Sequence, residues 1–187
     1  MRIIGGAQRG LRLAHVGKGD AGAHLRPTTD RVRESLFNVL LGGRFGDPVT
    51  GARVLDLFAG TGALGFEALS RGASHVTFVD DGATARALLR ENTALTKSGG
   101  SVKVYRRDAQ RLGPCPGAPF DLVFLDPPYG KALGDAALEA AVAGGWIAPK
   151  ALIVWEESDA VTAPDGFVAL DERRYGDTHI TLLEAPA

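Results

Sequence analysis

The sequence predicts an α/β fold: a mostly parallel, seven-stranded sheet with helices on both faces and an antiparallel closing strand, preceded by a small N-terminal β-hairpin. Three observations predict it. From about residue 50, short apolar runs alternate with helical patterns, as repeated strand–helix units require. A glycine-rich turn, Gly60 to Gly65, follows the first run and precedes a helix. Asp56, Asp80, Asp108 and Asp126 close four successive runs, and in a parallel sheet all four strand ends lie on one edge.

The elements follow in order. Arg2-Ile3-Ile4 and Leu11-Arg12-Leu13 flank the turn Gly5-Gly6-Ala7-Gln8-Arg9-Gly10, a hairpin too small for a core of its own that must lean on the main domain. Gly17, Gly19 and Gly22 mark a linker. Arg26-Pro27-Thr28-Thr29-Asp30 opens a helix, with Thr28 or Thr29 as its cap and Asp30 suited to its first turn. Val32, Leu36, Val39 and Leu40 form its apolar stripe, Arg31 and Arg33 lie off that stripe, and Gly42-Gly43 ends the helix. Strands are expected over 54–58, 76–79, 102–105, 120–125 and 152–155, and helices over 64–71, 83–95 and 135–142. Residues 168–170 and 179–183 have no helix between them and should form an antiparallel closing pair. Trp146 reads as core, Trp155-Glu156-Glu157 as a strand end in packing and solvent, and Arg173-Arg174-Tyr175 as a charged turn.

Composition narrows the class. Apolar content of 45% and charged content of 23% are ordinary globular values. No run is long and apolar enough to span a membrane and no signal pattern opens the chain, so a soluble intracellular protein is expected. The single Cys115 excludes an internal disulfide framework and a multi-cysteine zinc site, and the four histidines show no metal-ligand spacing. The net charge of −1 hides an asymmetry: residues 1–46 carry eight Lys/Arg against three acids, net +5, and the remainder carries −6. A basic arm on an acidic body suits a polyanion held by the N-terminal part, although a solvated charged face has the same composition.

Two motifs carry chemistry. Gly60, Gly62 and Gly65 match G-x-G-x-x-G with Asp80 20 residues beyond Gly60, which taken literally is a dinucleotide fingerprint. Asp56 argues against a pyrophosphate, because it sets a carboxylate at the mouth of the glycine turn where phosphates would be repelled. S-adenosylmethionine carries an ammonium and a sulfonium instead, and a carboxylate attracts both. Asp80 can take both ribose hydroxyls and Asp108 can accept from the adenine amine, whereas Asp81 reads as a surface residue; any one such aspartate taken alone is more often a turn or a helix cap. The second motif is Asp126-Pro127-Pro128-Tyr129, where two prolines stop a buried strand at a stiff corner. An aromatic NH2 is a poor nucleophile because its lone pair is delocalised into the ring. Acceptors for both its hydrogens favour the pyramidal form: Asp126 supplies one and the Pro127 carbonyl another, while Tyr129 can stack on an extruded base. An ordinary Asp-Pro turn after a strand is the bland alternative.

Asp56 to Gly65, Asp80, Asp108 and Asp126 to Tyr129 resemble the Rossmann-like class I S-adenosylmethionine-dependent methyltransferases, in their amino-methylating branch. Arg2-Ile3-Ile4-Gly5-Gly6 with Leu25-Arg26-Pro27-Thr28-Thr29-Asp30-Arg31-Val32-Arg33-Glu34-Ser35-Leu36-Phe37-Asn38 resembles, more specifically, the bacterial 16S rRNA (guanine-N2)-methyltransferase family (RsmD type). That resemblance covers nearly the whole chain. It implies methylation of the 2-amino group of one guanine, presented in the small ribosomal subunit or a late assembly intermediate, by a cytoplasmic monomer without a metal. It implies a catalytic set of Asp126, Pro127, Pro128 and Tyr129, and a cofactor set of Asp56, Phe58, Gly60, Gly62, Asp80, Asp108 and Ala109. Arg9, Arg12, Arg26, Arg31 and Arg33 would hold RNA, with residues 1–24 as an RNA-binding extension and 25–187 as the methyltransferase domain. Asp80 stands where such enzymes often carry Glu, which shortens the reach to the ribose. The tetrapeptide also suits adenine N6 in DNA or RNA, or a protein glutamine amide. A nicotinamide-dependent oxidoreductase and a non-catalytic RNA-binding scaffold are the readings from other classes.

Overall fold

The computed structural model describes residues 1–16 and 28–187. Its elements in chain order are α1 (Asp30–Leu41), β1 (Arg53–Leu57), α2 (Ala63–Ser70), β2 (His75–Val79), α3 (Ala83–Leu95), β3 (Val102–Tyr105), β4 (Phe120–Leu125), α4 (Leu133–Ala143), β5 (Ile147–Glu157), β6 (Val168–Tyr175) and β7 (Thr178–Glu184). Short 3-10 turns precede β3 at Gly99–Ser101 and follow it at Ala109–Arg111. The seven strands form one sheet in the order β3-β2-β1-β4-β5-β7-β6. β1 to β5 pair in parallel, and β7 lies antiparallel between β5 and β6. The expected architecture is borne out.

Alternation along the strands divides the core into two layers. Val54, Phe78, Phe124 and Val154 pack with Phe37 and Leu40 of α1, Phe66 of α2 and Leu89 of α3. Leu55, Val79, Leu125 and Trp155 pack with Ala137, Leu138 and Ala141 of α4, together with Trp146, which is core as expected. Thr29 caps α1 by accepting from the Val32 N–H. Gly65 sets how closely α2 approaches the sheet: a Cβ there would collide with the Phe78 ring. Among the described residues, no helix is long and apolar enough to cross a membrane.

The N-terminal segment leans on α2. One antiparallel bridge, Arg2 to Arg12, holds its two arms together. The Glu67 carboxylate accepts from the Ile4 and Gly5 N–H groups, and the Ser70 carbonyl and hydroxyl accept from Ala7 and Gln8. The linker, the expected boundary at 24/25, and Arg26 lie outside the described residues.

Three expectations are corrected. Arg33 does not lie off the apolar stripe of α1; it is 0% exposed beside Leu36, Phe37 and Leu40. Its guanidinium is consumed internally, by Glu67 at 3.4 Å, Asp30 at 2.9 Å, and the Thr28 and Arg2 carbonyls. It has no face left for RNA phosphate. Arg173-Arg174-Tyr175 is not a turn but the end of β6, paired with β7 from Arg173–Ile180 to Tyr175–Thr178. β5 is also longer than its apolar run, because Ile147 already pairs with Phe120 before a register shift.

Candidate active site

The carboxyl ends of β1, β2, β4 and β5 build one rim. Asp56 is the fourth residue of β1 and points toward α2, where its Oδ2 accepts from the Gly65 N–H at 3.1 Å. The helix needs that acceptor, because its N-cap is Gly62, which has no side chain to offer. Gly62 itself has φ +78, and a Cβ there would sit 2.6 Å from the Phe66 ring and 2.7 Å from Leu89. The chain leaves β1 through Phe58 at φ 57, a left-handed conformation costly for a residue with a side chain. Strain of this kind is characteristic of turns shaped for a ligand.

Asp80 follows β2 and braces the same turn. Its Oδ2 accepts from Gly60 N–H at 2.9 Å and its Oδ1 from Gly82 N–H at 2.8 Å. Each oxygen keeps a further lone pair for a ligand hydroxyl. Asp108 caps the turn Ala109–Arg111 through the Gln110 N–H at 2.9 Å. Ala109 is buried on the α4 side, and its side chain faces protein. Asp81 is exposed, as expected.

Asp126 lies one residue beyond the Leu57–Leu125 and Leu125–Trp155 pairs, so it sits between the ends of β1 and β5. Pro127 is buried, Pro128 and Tyr129 half-buried, and no hydrogen bond among the described residues engages the Pro127 carbonyl. Tyr129 donates its phenolic proton to Glu156 Oε1 at 2.9 Å, and its oxygen lies 3.0 Å from the Thr178 hydroxyl. Glu156 is the residue that sequence reasoning missed. It is not solvated at a strand end but 8% exposed, and its Oε2 accepts from the Thr28 hydroxyl at 3.1 Å.

Burial pushes the carboxyls of this rim up from their ordinary range. Asp56 is raised by burial and further by Asp80, against the Gly65 N–H. Asp80 is raised by burial, against the Gly60 and Gly82 N–H groups. Asp126 is raised well above the usual range by burial and then by the charges of Glu156, Asp56 and Glu157. Glu156 is raised by burial, against its Tyr129 and Thr28 hydrogen bonds. Among the described residues, no Lys or Arg forms an ion pair with Asp56, Asp80, Asp108, Asp126 or Glu156. Arg86 offsets the Asp80 charge only from a distance, and a cationic ligand with hydroxyl and amino donors would supply the direct partners these carboxyls do not have. Among the described residues, no cluster of three or more His, Cys, Asp and Glu could hold a metal ion.

Arg9, Arg12 and Arg31 are exposed near the N-terminal segment and the start of α1, where a polyanion could meet them. A cavity of about 660 Å³ opens at the other edge of the sheet, among Arg44, Asp47, Asp121 and Lys150. It lies at the amino ends of β1 and β4, away from the rim where open α/β sheets bind ligands.

Known proteins share this architecture. Residues 1–184 match a family described as "Conserved hypothetical protein 95". The chain is 37% identical to Ribosomal RNA small subunit methyltransferase D of Escherichia coli (strain K12), covering 100% of this chain and 91% of that protein. It is 35% identical to the protein of the same name from Haemophilus influenzae, covering 94% and 89%. The solved structure of a putative methyltransferase from Escherichia coli superimposes with a TM-score of 0.82 at 36% identity, covering 100% of this chain and 98% of that one.

Proposed function

The chain belongs to the family described as "Conserved hypothetical protein 95", and from that premise we propose that it uses S-adenosylmethionine to methylate small-subunit ribosomal RNA, at the 2-amino group of one guanine in 16S rRNA. The observation that carries the reading is the unpaired rim: Asp126-Pro127-Pro128-Tyr129 stands one strand from Asp56, among raised carboxyls that form no ion pair among the described residues. The relatives named as ribosomal RNA small subunit methyltransferases support the RNA class, and the tetrapeptide supports a planar NH2 as the acceptor.

The donor set fits the cofactor. Asp56 would face its cationic head, Asp80 the ribose diol and Asp108 the adenine edge, with Phe58, Gly60 and Gly62 shaping the glycine turn and Ala109 offering only its backbone beside Asp108. When bound, S-adenosylmethionine supplies an electrophilic methyl group on a sulfonium. The remaining work belongs to the chain. Tyr129 stacks on the flipped guanine, while Asp126 and the Pro127 carbonyl accept the two amine hydrogens, with Pro128 stiffening the corner. The amine lone pair is then aimed at the methyl group, and the surplus proton leaves to Asp126 or to water. A carboxylate with a raised pKa is the better proton acceptor of its kind.

Residues 1–24 serve as the RNA-binding extension of the methyltransferase domain 25–187, with Arg9, Arg12, Arg26 and Arg31 on the phosphates. The reading implies a cytoplasmic monomer acting on the small subunit or a late assembly intermediate. The test is to incubate the protein with labelled methyl donor and small subunits from a strain lacking the activity, then digest the RNA to nucleosides. Label in N2-methylguanosine is expected; label in N6-methyladenosine would move the activity to adenine, and no label would end the proposal.

A further inference from the structure

We infer that Glu156 is a positioning residue for Tyr129, holding the ring that receives the target base and tying it to the segment that opens α1. The inference rests on the methyltransferase reading for what the ring does, but on geometry for how it is held. Glu156 follows Trp155, whose pairing with Leu125 brings the end of β5 beside Asp126. Its carboxylate is nearly enclosed and meets two hydroxyls, those of Tyr129 at 2.9 Å and Thr28 at 3.1 Å.

The proton count orders the network. Tyr129 has one phenolic hydrogen, and the carboxylate can only accept, so that hydrogen goes to Glu156. The Thr178 hydroxyl, 3.0 Å away, must then donate to the phenolic oxygen. Two strands, β5 and β7, thus fix the far end of the ring from below, leaving one rotation about its axis. Thr28 adds the second link: its hydroxyl donates to Glu156, and its carbonyl accepts from Arg33 at 3.1 Å. The chain Arg33–Thr28–Glu156–Tyr129 therefore joins the first turn of α1 to the Asp126 corner.

A buried carboxylate beside another carboxyl is expensive to keep. Ser or Asn could take a tyrosine proton at lower cost. A carboxylate gives the stronger, charge-assisted bond and serves both hydroxyls at once. Removing it should free the ring to tilt without touching the cofactor turn.

The experiment compares Glu156→Ala, Glu156→Gln, Tyr129→Phe and the double variant Glu156→Ala/Tyr129→Phe in the full chain. Methyl transfer to small subunits and cofactor dissociation constants are measured together. Glu156→Ala is expected to lower kcat/KM about 10- to 100-fold, the span of a lost hydrogen bond to a charged group. Cofactor affinity should stay unchanged. Tyr129→Phe should show a similar loss, and the double variant no more than either, because all three break one link. Glu156→Gln keeps an acceptor for the phenol and should recover most of the loss. Near-native turnover in Glu156→Ala, losses that multiply, or a Gln variant as poor as Ala would each overturn the inference.

A substrate-free readout separates this from failure of the functional reading. With 3-fluorotyrosine incorporated, the Tyr129 fluorine resonance, assigned by its loss in Tyr129→Phe, should move toward the free amino acid in Glu156→Ala and stay in place in Glu156→Gln. If the unaltered protein methylates no RNA, the functional reading fails while this signal still decides the link. A Tyr129 resonance unmoved by Glu156→Ala sinks the link whatever the activity.

Discussion

Replacing Asp126 with asparagine keeps the shape of the side chain and removes an acceptor and a charge. Two consequences follow, with opposite signs. At the amine, one oxygen becomes an NH2 that points a donor at a donor. Deleting one preorganised group of this kind costs about 2.7–4 kcal/mol of transition-state stabilisation, or roughly 10²–10³ in kcat. In the fold, the change relieves burial of a charge next to Glu156, Asp56 and Glu157. Because the carboxyl is raised in the folded state, its ionised form opposes folding above the ordinary carboxyl range. The variant should therefore melt higher than the native protein at pH 8, by roughly 2–4 °C for each kcal/mol relieved in a chain of this size. That gain should fade as pH falls and the native Asp126 takes up its proton. Single-turnover methyl transfer and thermal melts at pH 8 and pH 5 measure both. Near-native transfer, or a variant that melts lower at pH 8, would refute the reasoning.

Cofactor affinity should rise with pH, because Asp56 and Asp80 hold their protons above the usual range and only their ionised forms attract a cation. Calorimetry in two buffers of different ionisation enthalpy should show protons released on binding at mildly acidic pH; affinity flat with pH would contradict this. Arg33→Met should cost about 3 kcal/mol, the lower end for breaking a buried pair, since Arg71 still faces Glu67 at 2.9 Å. A denaturant midpoint unchanged by that substitution would show that the buried network is idle. Exposed Arg12→Ala should leave stability alone but weaken RNA binding and reduce the slope of log K against log salt by about one. An unchanged slope removes Arg12 from the RNA contact.

What could be read from the chain depended on how local the signal was. Phe120–Leu125 and Ala83–Leu95 have the expected boundaries because the apolar run lies between Pro119 and the Asp126-Pro127 corner and the periodic stripe begins after Gly82. The aspartates were legible because each falls at or near the carboxyl end of its own strand: Asp80 and Asp126 directly after β2 and β4, Asp56 one residue before the end of β1, and Asp108 three residues past β3. β6 was half-hidden: Arg173-Arg174-Tyr175 reads as a charged turn, yet it lies on the edge strand, where charge is tolerated and blocks further pairing. Arg33 and Glu156 were misread for a different reason. A charge on a helix or after a strand reads as solvated unless its partners are in view, and beyond Asp30, which is local to Arg33, those partners are Glu67, 34 residues from Arg33, and Tyr129 and Thr28, 27 and 128 residues from Glu156. Tertiary pairing over such distances leaves no local trace. The same pairing makes the N-terminal segment part of the site's support, through Glu67 beneath Ile4 and Gly5.

The account stands on one rim serving both the methyl donor and the amine. Its most direct test is the structure of the protein with S-adenosylhomocysteine bound. The account predicts ribose hydroxyls at hydrogen-bond distance, about 2.7–3.2 Å, from Asp80. It also predicts the adenine beside Asp108 and the sulfur facing the Asp126–Tyr129 corner. A ligand seated elsewhere, or with its sulfur turned away from Asp126, would contradict it.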